Sequence, residues 1–256
     1  VPVLQGGADA FIGMIGLGVV NPGSLAFITG SSHLHLGLSQ QAFHGQGIWG
    51  TYADAVIPGL HVVEGGQTST GSVVSWIRRT LGSPSYEELN HEATQLEPGS
   101  EGVVIQEHFQ GNRTPHTDPL SRGVISVLTL KHGRGHLFRA ALEGIAFGTE
   151  LILETMRNNG FAAETVVLAG GATRSDLWLQ IHADVSNLPL TLTKVPDAPA
   201  LGSAILAAVG SGAFSDIGTA TQKMVQVDKV IEPNQETHAR YQPFYQSYQT
   251  HYLAMK

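Results

Sequence analysis

Three short apolar runs in this chain each stop at a glycine cluster, and that pattern narrows the available folds more than any other feature. The clusters are Gln5-Gly6-Gly7-Ala8-Asp9, Thr29-Gly30-Ser31-Ser32 and Ala169-Gly170-Gly171-Ala172, the last opening a helical segment that carries Trp178. A strand that ends in a glycine turn before a helix leaves backbone N–H groups pointing outward with no side chain in the way. Such a turn is a seat for an anion or a nucleotide phosphate. Taken singly, each cluster reads as a tight turn, because glycine is the default turn residue. No Gly-x-x-x-x-Gly-Lys-[Ser/Thr] sequence occurs, and neither a P-loop nor a Rossmann Gly-x-Gly-x-x-Gly site is expected.

The elements around the clusters follow from periodicity. After an apolar run at Val1 to Leu4 and a short helix over 10–17, strands are expected at 25–29, 33–38, 49–56 and 61–64, forming a meander. Val73, Val74, Trp76, Ile77 and Leu81 give a helix over 70–81. Ser85 and Glu88 form a capping box that starts a polar helix. A strand at 103–106 and a loop over 107–122 lead to the longest periodic segment, 136–158, where Gly144 and Gly148 admit another backbone and Asn159-Gly160 stops the helix. A strand–helix–strand–helix alternation follows over 166–209, and after Pro233 a last helix carries Tyr241, Phe244, Tyr245, Tyr248 and Tyr252 as a core or docking stripe. Strands first and alternating elements later give one mixed α/β domain.

Composition removes several function classes. Fourteen basic against 21 acidic residues give a net charge of −7 with no basic cluster, which argues against nucleic acid as a partner. There is no cysteine among the 256 residues, so disulfides, cysteine–zinc sites and thiol catalysis are excluded. No apolar run reaches the ~18 residues of a membrane span, and no basic segment precedes an apolar stretch at the start, so a cytoplasmic location is expected. A start at Val1 inside a glycine-rich segment reads as a chain cut from something longer. Twelve histidines are present. His33 and His35 face one side of their strand, and His132 and His136 are separated by glycines. No carboxylate lies in register with them, so no metal site is expected. His33, just past the second glycine turn, is a candidate substrate contact.

With these residues in hand, the sequence resembles the C-terminal lobe of the FGGY carbohydrate kinases, across essentially the whole chain. The family's C-terminal signature is matched by Gly123, Ile125, Leu128, His136, Leu137, Ala140, Leu142 and Glu143, with Val127 in place of its second glycine. Asp9 matches the family's catalytic aspartate in a glycine-rich turn, and Gly30-Ser31-Ser32 stands where the family has its Gly-Thr-Gly or Gly-Thr-Ser phosphate turn. Gly71, Ser75 and Trp76 resemble the Gly-x-x-x-polar-Trp start of a helix beside the nucleotide. Gly170, Gly171, Ala172 and Ser175 resemble the adenosine motif, and Asp197 to Gly202 resembles the family's Glu-x-x-Ala-Leu-Gly stretch with Asp for Glu. Phe109 to Pro115 is similar to the corresponding stretch of ribulokinase-type members. Asp216-Ile217-Gly218-Thr219 also spells a phosphate motif of the superfamily, but it follows a helix end and reads as a helix cap.

The resemblance implies an actin/hexokinase-like (ribonuclease H-like) ATPase lobe: a mixed sheet flanked by helices, occupying residues 1–256, with the N-terminal sugar-binding lobe absent. It implies ATP and Mg²⁺ as cofactors and a sugar or polyol as substrate, a ketopentose such as ribulose or a related pentitol. Asp9 would act as base and touch the substrate together with His33. Gly30, Ser31 and Ser32 would hold phosphates, and Gly71, Ser75, Gly170, Gly171, Ala172 and Ser175 would line the adenosine pocket. Partners would be the sugar and the N-terminal lobe, with a homodimer open because dimers are common among similar proteins. Two other readings stand beside it: a non-catalytic actin-like ATP-binding module, and a plain α/β interaction domain.

Overall fold

In the computed structural model, which describes residues 3–255, a seven-stranded mixed sheet runs through the molecule in the order β3-β4-β2-β1-β7-β8-β9. The start of the apolar run at Val1 lies outside the described residues. The strands are β1 (Ser24–Thr29), β2 (His33–Ser39), β3 (Gly50–Ala53), β4 (His61–Gln67), β7 (Thr165–Gly170), β8 (Leu190–Thr193) and β9 (Val227–Ile231). β1–β7 and β7–β8 are parallel, and the remaining pairs are antiparallel. A separate antiparallel ribbon joins β5 (Val104–Gln106) to β6 (Val124–Ser126).

Period-2 alternation assigns the two faces of the sheet. Ala26, Leu36, Leu38 and Val62 pack under α1 (Asp9–Gly16), α6 (Ala198–Gly210) and α7 (Ile217–Met224). Leu25, Phe27, Val63, Val166 and Leu168 face α4 (Arg134–Asn158) and α5 (Asp176–Ser186). Outside α4 lie α2 (Gly71–Thr80), α3 (Tyr86–Thr94) and α8 (Gln235–Ala254). Both faces of the central strands are thus covered, which is why β1 and β7 read as nearly continuous apolar runs.

The alternating segment and the Ser85–Glu88 capping box stand as expected, but the first four strands are not a meander: β4 pairs with β2, and β3 lies outside it at the sheet edge. β3 is shorter than expected, β4 continues to Gln67, and α4 begins two residues before His136. His132 and His136 serve that helix start, since their Nδ1 atoms accept from the N–H groups of Thr129 and Gly133. β6 and β9 were not foreseen: three residues give β6 no period to detect, and Val-Asp-Lys-Val-Ile has no clean alternation. Asp216 caps α7 by accepting from the Thr219 N–H at 2.7 Å, as its context implied.

The tyrosine stripe of α8 is core, and each hydroxyl ends on a carboxylate. Tyr241 donates to Glu143, Tyr245 to Glu154, Tyr248 to Glu107 and Tyr252 to Asp118. Burial raises the Glu107 carboxyl to about 7, so a hydrogen-bonded rather than a solvated carboxyl sits under α4 and α8.

Val127 supplies a stability test. Its φ is +63°, a left-handed conformation that costs a β-branched residue about 1–2 kcal/mol. The side chain is 58% exposed, so little burial offsets that strain. Val127→Gly is expected to stabilise the protein by about 1 kcal/mol after glycine's entropy cost, raising Tm by a few degrees. A fall in Tm on thermal unfolding would show that the valine side chain outweighs its backbone strain.

Candidate functional site

The pairing of β1 with β7 brings two glycine turns side by side. Thr29 is in register with Gly170, so the turns after these parallel strands leave the sheet at the same end. Ligands of open α/β sheets collect at the carboxyl ends of strands. The Thr29 hydroxyl ties the turns together, donating to the Ala169 carbonyl at 2.8 Å and accepting from the Ala172 N–H at 3.1 Å. Gly170 has φ +103°, and a Cβ there would lie 1.8 Å from the Thr29 carbonyl oxygen. No other residue fits that position.

The start of α2 closes the site from a third direction. The N–H groups of Thr70 and Ser72 donate to the Ser31 carbonyl, and that of Gly71 donates to the Gly30 carbonyl. The turn's carbonyls therefore point away from any ligand. The Gly30 N–H is consumed by the Ser32 carbonyl, so this turn's donors toward a phosphate are the N–H and hydroxyl groups of Ser31 and Ser32, both exposed.

Between these turns lies a cavity of about 410 Å³. Gly30, Gly71, Gly171, Ala172 and Ser175 line it, so five of the expected nucleotide residues, from three distant segments, share one space. Ser31, Ser32 and Gly170 belong to the same turns without lining it. Ser75 does not line it either: its hydroxyl accepts from Arg79 along α2 at 3.0 Å.

Sequence reading missed the other walls of this cavity: Val74 from α2, Tyr86 and Asn90 from α3, Phe138 and Leu142 from α4, Arg174, and Trp178. Phe138 and Leu142 sit one helical turn apart inside the signature segment, the one signal that pointed to a wall. Nothing in the sequence announces that α3 crosses to the site.

Asp9 lies elsewhere, on a cavity of about 270 Å³ formed with Gly6, Gly7 and Ile12 and with Pro199, Ala200 and Ser203 of α6. It is exposed at the first position of α1, and one carboxylate oxygen accepts from the Ala10 N–H at 2.8 Å. Residues 17–23 connect α1 to β1. The helix is held by its crossing with α6. A Cβ on Gly16 would lie 1.9 Å from the Ala198 carbonyl oxygen, and one on Gly202 would lie 2.0 Å from that of Ile12. The Asp197–Gly202 stretch therefore packs against the helix that presents Asp9.

One expectation needs revision. His33 is fully buried, on the face of β2 toward α4 and α5. Its ring, with those of His35 and His182, packs around Phe27 at centroid distances of 5.0, 4.6 and 5.1 Å. Burial lowers all three imidazoles, His35 and His182 to about 3. His33 is thus an uncharged core residue and no substrate contact. Arg113, in the ribulokinase-like stretch, turns to Glu64 and stacks 3.9 Å over Trp49, so it secures the 107–122 loop and reaches neither cavity. The chain does contain one Gly-x-Gly-x-x-Gly spacing, Gly45-x-Gly47-x-x-Gly50, but it runs into β3 and not into a helix, which rules out a dinucleotide site there. Among the described residues no group of three or more His, Asp or Glu could hold a metal ion, and no helix is long and apolar enough to cross a membrane.

Comparison with known proteins gives the family and the fold. The profile of the FGGY family of carbohydrate kinases, C-terminal domain, matches residues 25–211. An FGGY carbohydrate kinase domain-containing protein of Xenopus laevis is 34% identical over 87% of this chain and 44% of its own length. A ribulokinase of Shouchella clausii is 30% identical over 96% of this chain and 47% of its own. The crystal structure of xylulose kinase from Rhodospirillum rubrum superposes with a TM-score of 0.89 at 28% identity, over 99% of this chain and 51% of that one. The chain spans about half the length of the relatives it matches.

Proposed function

The chain belongs to the FGGY family of carbohydrate kinases, and on that premise we propose that it is the nucleotide-binding lobe of an ATP-dependent kinase that phosphorylates a hydroxyl of a sugar or polyol. The observation that carries this reading is the convergence of three separate glycine segments on one 410 Å³ cavity, a space suited to a nucleoside. The ribulokinase and xylulose kinase relatives support a ketopentose, or a related pentitol, as acceptor. An N-terminal lobe would supply the rest of the acceptor site.

In this mechanism Ser31 and Ser32 donate their N–H and hydroxyl groups to phosphate oxygens, while the apolar walls from Phe138, Leu142 and Trp178 take the base. Asp9 accepts the proton of the sugar hydroxyl as that oxygen bonds to the γ-phosphorus and the bond to the ADP oxygen breaks. Mg²⁺ neutralises phosphate charge when bound. No carboxylate lines the nucleotide cavity, so Mg²⁺ would be held by the ATP phosphates and mainly by the N-terminal lobe. Closure of the two lobes would exclude water from the transfer.

Gly171 gives the test. A Cβ there meets nothing within 4 Å, so a larger side chain projects into the cavity without disturbing the protein. Gly171→Leu is expected to weaken ATP·Mg binding by at least about tenfold, ~1.4 kcal/mol, with the unliganded Tm unchanged. Unaltered affinity by isothermal titration would remove this cavity from the nucleotide site.

A further inference from the structure

We propose that Asn90 selects the nucleobase, accepting a hydrogen bond from the 6-amino group of adenine and donating one to a ring nitrogen, so that 6-aminopurine nucleotides are taken over 6-oxopurines. This inference rests on the nucleotide reading above. Asn90 stands on α3, an element that carries none of the glycine turns, yet its side chain lines the same cavity.

The orientation of its carboxamide is fixed by its neighbours. Nδ2 donates to the Tyr86 carbonyl at 2.8 Å. A carbonyl oxygen only accepts, so the nitrogen must be the atom that faces it. Oδ1 accepts from the Ser175 hydroxyl at 2.9 Å. That hydroxyl is able to donate because its own oxygen receives the Trp178 N–H at 3.3 Å. A flip of the amide would set Oδ1 against the Tyr86 oxygen and lose that bond.

One N–H and one lone pair of the amide remain for a ligand. Phe138, Leu142 and Trp178 form apolar walls of the same space, where a mismatched polar group is expensive. A fixed acceptor beside a fixed donor complements the 6-amino group and neighbouring ring nitrogen of adenine, a pairing that asparagine makes bidentately with this base. In that orientation a 6-oxopurine opposes one lone pair with another.

The test is isothermal titration of the intact protein with ATP and with ITP, in Mg²⁺, for wild type and Asn90→Leu. Wild type is expected to bind ATP at least about tenfold tighter than ITP, and Asn90→Leu is expected to bring that ratio close to one. If Asn90 served only to hold α3 against α5, its loss would weaken both nucleotides equally and leave the ratio unchanged, which overturns the inference. Equal binding of the two nucleotides by wild type also overturns it while leaving the nucleotide site intact. Failure of wild type to bind either one overturns the nucleotide reading and this inference with it. Asn90→Ala, a good helix former at a half-buried position, gives the same measurement where the leucine variant does not fold.

Discussion

Asp9→Asn is expected to lower sugar-dependent ADP release by about 10²- to 10⁴-fold, the range for loss of a positioned general base. Nucleotide affinity should stay within about twofold, because Asp9 lies on a different cavity from the one that Gly171 and Ser175 line. The substitution is nearly isosteric and the residue is exposed. The Ala10 N–H keeps an oxygen acceptor, so no change in folding stability is expected. Loss of turnover with ATP affinity kept separates a base from a structural turn residue. Full activity in the variant would show that the aspartate only shapes the turn before α1.

The second large effect concerns Glu143, the acidic residue of the long signature. Its surroundings assign it to the core. It is 1% exposed and receives the Arg139 Nε at 2.7 Å, the Ser100 hydroxyl at 2.7 Å, the Gly99 N–H at 3.0 Å and the Tyr241 hydroxyl at 3.1 Å. Removing one partner of a buried ion pair leaves the other charged and unpaired, at about 3–5 kcal/mol. Glu143→Ala is therefore expected to lower Tm by about 10 °C in a chain of this size. Glu143→Gln, which keeps an acceptor, should fall between that variant and wild type. A Glu143→Ala protein with wild-type Tm and no turnover would place this carboxylate in the chemistry instead.

The residues whose sequence neighbours explain them were legible before the structure. Gly170 sits between a β-branched strand and a helix, and its left-handed backbone is what that junction demands. Asp216 follows a helix end and caps the next helix. The glycine that the family signature expects at 127 was noted as missing, and the +63° φ of Val127 shows what the glycine is for. What could not be read depends on contacts between distant segments. The alternation that put His33 and His35 on one face could not say that α4 and α5 cover that face. Asn90 looks like any polar residue of a surface helix until Ser175, 85 positions away, meets it. Arg113 matched a motif, but a motif does not tell which way a guanidinium turns. Helix α6 shows the same limit, since its small residues read as ordinary helix until Gly202 is seen against the backbone of Ile12.

The most direct measurement is ADP release from ATP·Mg by the intact protein in the presence of ribulose, xylulose, ribitol, erythritol, glycerol or gluconate, with Asp9→Asn in parallel. A sugar kinase built on this lobe gives turnover that depends on the added acceptor, is greatest with a ketopentose or pentitol, and disappears in the variant. ATP binding with no stimulation by any acceptor would contradict the account and leave a non-catalytic nucleotide-binding module.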